Sequence, residues 1–106
     1  MLSMLPIQAS HIYVYPVPIN MQLGQDKLID ICENKMQLSP EDGLVFLFFN
    51  KAQNKIKLFY LDDTGSQEIM KFLPKGGFLL PDFNKDQKYI KIDSNELTNL
   101  LHVQIH

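Results

Sequence analysis

Leu44-Val45-Phe46-Leu47-Phe48-Phe49 is an unbroken run of six apolar residues. It is bounded by the turn-forming cluster Ser39-Pro40-Glu41-Asp42-Gly43 on one side and by the polar stretch Asn50-Lys51-Ala52-Gln53-Asn54 on the other. A short run between turn signals reads as a central strand, buried on both faces or covered on the second face by a partner. It falls far short of the roughly 20 residues that span a bilayer, so no membrane association is expected. The next segments fold back on it. The polar stretch makes a hairpin connection, and Lys55 to Leu61 forms the return strand. Ile56, Leu58 and Tyr60 then share one face, and Lys55, Lys57, Phe59 and Leu61 the other. Asp62-Asp63-Thr64-Gly65 is a second tight turn. Ser66 to Leu73 forms a third antiparallel strand, ended by Pro74-Lys75-Gly76-Gly77.

The flanking segments complete a small fold. His11 to Tyr15 is rich in β-branched and aromatic residues and reads as a strand. Pro16 and Pro18 stop it, because proline donates no hydrogen bond to a ladder. Gln25 to Met36 reads as a helix whose apolar stripe is Leu28, Ile31, Cys32 and Met36. Phe78 to Pro81 is a short apolar segment suited to an edge strand, and Tyr89 to Ile92 alternates as another. Asp93 is a good N-cap for a last helix, with Glu96 three residues on completing a capping-box pair. Leu97, Leu100 and Leu101 form its stripe. The expected fold class is α+β: an antiparallel sheet of about four to five strands, in the order β-α-β-β-β-β-α, with two helices packed on one face. Residues 1–10 are expected to be a flexible N-terminal arm, and residues 11–106 one domain. A chain of 106 residues suffices for one hydrophobic core without disulfides or metals.

The chemistry-bearing residues are few. Cys32 is the one cysteine, so an internal disulfide and a four-cysteine zinc site are excluded. Its place on the helix stripe makes it a packed thiol rather than a nucleophile. With no signal-peptide pattern at the N-terminus, the expected location is cytoplasmic. His102 and His106 are four apart, but they sit at the chain end with only Glu96 nearby, and His11 stands by itself. Asp62 and Asp63 are adjacent, so on a strand they point apart, and they fit turn chemistry better than metal binding. Lys75-Gly76-Gly77 lacks the spacing of a phosphate-binding loop. No activated nucleophile, acid–base pair or metal cluster assembles, so neither catalysis nor a cofactor is expected.

Charge sets a second limit. The net charge is −2, and all ten basic residues are lysines. Arginine is the side chain suited to bidentate reading of phosphate and guanine, so its absence disfavours strong autonomous DNA binding. The lysines Lys51, Lys55, Lys57, Lys71 and Lys75 nonetheless cluster on the strands around the hairpin. With Phe59 they form either a nucleic-acid-contacting face or a solvated face that guards sheet edges. The run Leu44 to Phe49, with Phe59, Phe72 and Phe78, holds more apolar surface than one small helix readily covers. A well-covered core and a protein interface both account for it.

The ordered set of motifs resembles the TnpB accessory proteins of insertion-sequence 66 type bacterial transposons. The matching residues are Gly43-Leu44-Val45-Phe46-Leu47-Phe48-Phe49-Asn50-Lys51, then Ile56-Lys57-Leu58, Asp62 and Gly65. They continue through Lys71-Phe72-Leu73 and Lys75-Gly76-Gly77-Phe78 to Pro81. Asn20-Met21-Gln22-Leu23-Gly24, with Asp26 and Leu28, is similar to the family's upstream segment. Ile90-Lys91-Ile92 and Leu97, Leu100 and Leu101 are similar to its closing strand and helix. The likeness covers about residues 11 to 103. It departs at Asn20, Gln22 and Leu23, where the family has a charged triplet. It departs again at Phe49, Gly77 and Leu80, where the family usually carries arginine, arginine and tryptophan.

The resemblance implies a non-catalytic auxiliary role in transposition beside a separate transposase. The expected contact residues, for DNA or for a protein partner, are Asn20, Gln22, Gly24, Asn50, Lys51, Lys55, Lys57, Lys71 and Lys75. The expected partners are a transposase subunit and, weakly, transposon-end DNA. The alternative is a protein-interaction module or homodimer without a nucleic-acid role.

Overall fold

The computed structural model describes residues 12–40, 44–72, 77, 78, 80, 84 and 86–102, the side chains of residues 101 and 102 excepted. The expected arm at residues 1–10, together with His11, Lys75 and His106, lies outside these residues, as does the side chain of His102.

The described chain forms β1 (Ile12–Val14), α1 (Gln25–Asp30) running on into a π-helical turn (Ile31–Lys35), β2 (Val45–Phe49), β3 (Lys55–Asp62), β4 (Gly65–Phe72), β5 (Ile90–Ile92) and α2 (Ser94–His102). This is an α+β fold with the expected element order. The five strands form one sheet in the order β4-β3-β2-β1-β5.

Three features differ from the sequence reading. The sheet is mixed rather than antiparallel throughout. β1 pairs with β2 in parallel, Ile12 opposite Val45 and Val14 opposite Leu47, while the other three pairings are antiparallel. A parallel pair needs a long crossover, and here the segment carrying α1 supplies it. The second difference is that the helices lie on opposite faces. Leu28, Cys32 and Met36 pack with Phe46, Phe48 and Phe59. Leu97 and Leu100 pack with Ile12, Val14, Val45, Leu47, Phe49, Ile56, Leu58, Tyr60 and Ile92. Alternation along each strand sends successive residues to opposite faces. β2 therefore feeds both cores, and all five of its residues are fully buried. The interface reading of this run is thus replaced by a two-sided core. The third difference concerns Phe78 and Leu80, which belong to no strand. They pack against the α2-side core instead.

Local chemistry explains where the elements start and stop. At α2 the Glu96 amide donates to Asp93 Oδ1 (2.8 Å), and the Asp93 amide donates to Glu96 Oε1 (3.1 Å), a reciprocal capping box. The helical segment after α1 ends at Gln37, whose φ of 60° is left-handed. That turn lets the Leu38 amide donate back to the Cys32 carbonyl (2.8 Å). At the β3–β4 turn the amide and hydroxyl of Thr64 both donate to Asp62 Oδ1, at 2.8 and 2.6 Å. These bonds, the hydroxyl's foremost, hold the Asp62 carboxyl below its ordinary range, so Asp62 serves the turn. Among the described residues no helix is long and apolar enough to cross a membrane.

A candidate docking site at the β2–β3 turn

Two segments some thirty residues apart in the sequence converge at one end of the sheet. The first is the chain after β1. Its backbone keeps hydrogen-bonding to β2 past the prolines: the Tyr15 amide donates to the Leu47 carbonyl (3.0 Å) and the Ile19 amide to the Phe49 carbonyl (2.8 Å). Pro16 and Pro18 fall at positions between these two donors. The chain then turns at Asn20, whose Oδ1 accepts from the Gln22 amide (2.8 Å) while its carbonyl accepts from the Leu23 amide (3.1 Å).

The second segment is the β2–β3 turn. Asn50 Oδ1 accepts from the amides of Asn54 and Lys55, both at 3.0 Å. Asn50 Nδ2 donates to Asn54 Oδ1 (2.7 Å). One asparagine thus takes over the donors that a five-residue connection would leave unpaired. Gln53 takes a left-handed φ of 57°, and its carbonyl accepts from the Phe78 amide (2.8 Å). The chain at Gly77 passes so close that a Cβ there would stand 3.1 Å from the Gln53 carbonyl oxygen.

Between the two segments lies an open pocket of about 410 Å³, lined by Ile19, Asn20, Met21, Gln22, Asn50, Lys51, Ala52 and Lys55. Its polar lining residues are two lysines and three amide residues, with no acidic residue among the described ones. Lys51 is exposed at the turn. Lys55 is half-buried, and its Nζ stands 5.6 Å from the centre of the Phe72 ring.

Of the residues expected from the sequence, the fold thus gathers Asn20, Gln22, Asn50, Lys51 and Lys55. Asn20 and Asn50 have a further role, since their carboxamides shape the two turns. Gly24 is the N-cap of α1 and does not line the pocket. Lys57 is corrected from a surface contact to an internal tether. It is 5 % exposed. Its Nζ donates to the carbonyls of Met21 (2.8 Å) and Leu23 (3.3 Å) and pairs with Glu68 (3.1 Å). Phe59 is likewise fully buried on the α1 side, so the lysine-plus-aromatic face expected on β3 is covered by α1 and its preceding loop. Lys71 is on the other face of the sheet, opposite Ile56 in register. The sequence reading missed Glu68 and the apolar lining residues Ile19, Met21 and Ala52. Nothing local marks them, because their roles arise from the β3–β4 register and the crossover path.

Cys32 is fully buried. Burial, reinforced by the charge of Glu33, pushes its thiol up to about 12, so it is un-ionised at neutral pH and a poor nucleophile. Among the described residues no group of three acidic, histidine or cysteine side chains could hold a metal ion.

No curated protein and no solved structure matches this chain. A family profile does: that of the IS66 Orf2-like proteins, over residues 10–104. This span takes in both turns of the pocket and all the described strands and helices. The chain therefore belongs to the IS66 Orf2-like family, the TnpB accessory proteins of insertion-sequence 66 transposons, and is a transposition-associated accessory protein.

Proposed function

We propose that this accessory protein acts by docking on DNA at the transposon end, together with the transposase, through the pocket between the Asn20 turn and the Asn50 turn. The observation that carries this reading is the pocket's make-up. Lys51, Lys55, Asn20, Gln22 and Asn50, with no acidic residue among the described lining, are brought together from two separate segments. Such a lining suits phosphate oxygens, which accept from ammonium and amide groups and position a protein without reading sequence. Without arginine the chain's own affinity is weak and sequence-tolerant. The transposase then supplies the recognition and the chemistry.

The test is binding to transposon-end DNA, alone and with the cognate transposase, across a salt series. Log affinity falls linearly with log salt when phosphates displace counterions. Replacing Lys51 and Lys55 by glutamine lowers that slope by roughly 1 to 2. No binding in either setting removes the DNA part. The alternative is a protein-interaction module without a nucleic-acid role, favoured by the net charge of −2 and the lack of arginine. A transposase pulldown that survives high salt and ignores both lysines favours this alternative.

A further inference from the structure

β4 is an outer strand of the sheet, paired with β3 on one side. Its eight residues run in unbroken register from Asp62 opposite Gly65 to Lys55 opposite Phe72. It carries no proline and no bulge, and it is not short. Those are three of the devices by which native edges avoid pairing with another chain; β4 does carry the charges of Glu68 and Lys71. Three large apolar side chains are well exposed among the described residues: Val17, Met70 at 51 % and Phe72 at 53 %. Met70 and Phe72 are two apart on β4, so they share one face.

We propose that β4 is a dimer interface, on which a second copy of this chain pairs antiparallel about a two-fold axis normal to the sheet at Met70. The charge pattern of the edge selects both the partner and the register. A two-fold axis normal to the sheet keeps like faces together, so facing residues must share a face. Centring at Met70 sets Met70 against the partner's Met70 and Phe72 against the partner's Glu68. Lys55 lies over the Phe72 ring, so the partner's Glu68 arrives beside an ammonium group. The Glu68 side chain is 36 % exposed while paired with Lys57, which leaves it room for this second cation. A centre at Glu68 would oppose two carboxylates, which is destabilising. A centre at Ile69 would set Phe72 and Lys55 against an uncharged Ser66. The Met70 register is the one that buries both exposed apolar side chains and gives Lys55 a counter-charge. The edge is thus self-complementary, as a two-fold interface requires. Two sheets of five strands become one of ten.

Sedimentation across a concentration series tests this. The wild-type chain sediments as a concentration-dependent dimer. Met70→Glu sets two carboxylates face to face beside Glu68 and weakens dimerisation at least about tenfold, with an unchanged circular dichroism spectrum. Met70→Cys gives a disulfide-linked dimer on mild oxidation. Facing Cα atoms in an antiparallel pair are about 4.5–5.5 Å apart, within disulfide range. Asn99→Cys, on the exposed side of α2, forms no disulfide-linked dimer under the same oxidation. A wild-type monomer at every concentration overturns the proposal. So does a dimer indifferent to Met70→Glu, or equal cross-linking of the two cysteine variants. The outcome is separable from DNA docking, because Lys51→Ala weakens DNA binding and leaves the sedimentation of the dimer unchanged.

Discussion

Lys57 on β3 and Glu68 on β4 form an ion pair at 3.1 Å whose lysine end is sealed beneath the loop preceding α1. The same ammonium donates to the carbonyls of Met21 and Leu23, so one side chain joins the sheet to the loop that walls the docking pocket. Lys57→Met keeps the apolar stem but leaves both carbonyls without their donor. The expected cost is about 2–3 kcal/mol, from the loss of charge-assisted hydrogen bonds at a buried site. Urea unfolding measures it, and native-state hydrogen exchange should show faster exchange at Leu23. Glu68→Gln costs less, because Glu68 is partly solvated. A Lys57→Met variant as stable as the wild type contradicts the tether.

Gln37 holds a left-handed φ of 60°, where a side chain is strained and glycine is not. Gln37→Gly should raise stability by about 0.5–1 kcal/mol, less the exposed hydrogen bond that Gln37 Oε1 accepts from Lys88. Gln37→Val should lower it, since a β-branched residue tolerates this conformation worst. Thermal denaturation of the pair gives the sign directly.

The Asp93–Glu96 box satisfies amides at both its residues. Asp93→Ala should destabilise the protein by about 1 kcal/mol, and Asp93→Asn by a fraction of that. Leu97 and Leu100 dock α2 on the sheet, so the loss should appear in global unfolding and not as local fraying. Equal stability of the alanine and asparagine variants counts against a capping role.

Cys32 offers a pH readout. Its folded pKa is pushed up to about 12 from an ordinary 9.0. The raised value means the thiol's contribution is complete below the unfolded pKa. It is lost as pH rises from there through the folded value, because the unfolded chain ionises first. Stability should therefore fall above about pH 9, by up to about 1.4 kcal/mol per pH unit from this group. Cys32→Ala should remove that share of the slope. A thiol reagent should label the native protein far more slowly than the unfolded chain. Rapid labelling under native conditions contradicts the buried placement.

Local signals survived folding where they depend on a few neighbouring residues. The hairpin turns, the Asp62 turn and the capping box at Asp93 were legible because each is built within about five residues. The clustering of the site was half legible. Asn20, Gln22, Asn50, Lys51 and Lys55 line one pocket, but the chemistry of Lys57 misled. On an alternating strand it shares a face with Lys55 and Phe59, and nothing nearby in the chain reports that α1 covers that face.

The amino-acid order by itself set most of the elements, their sequence, and Leu28, Cys32, Met36, Leu97 and Leu100 as core-facing helix residues, because alternation and helical spacing are read over short windows. Packing decided the rest. Whether β1 lies parallel or antiparallel to β2 depends on the route of the crossover. The face each helix takes depends on which half of the alternating side chains it covers. Those choices are made between segments tens of residues apart, through burial and register, and they turned Lys57 inward and placed the exposed Met70 and Phe72 on the outer strand.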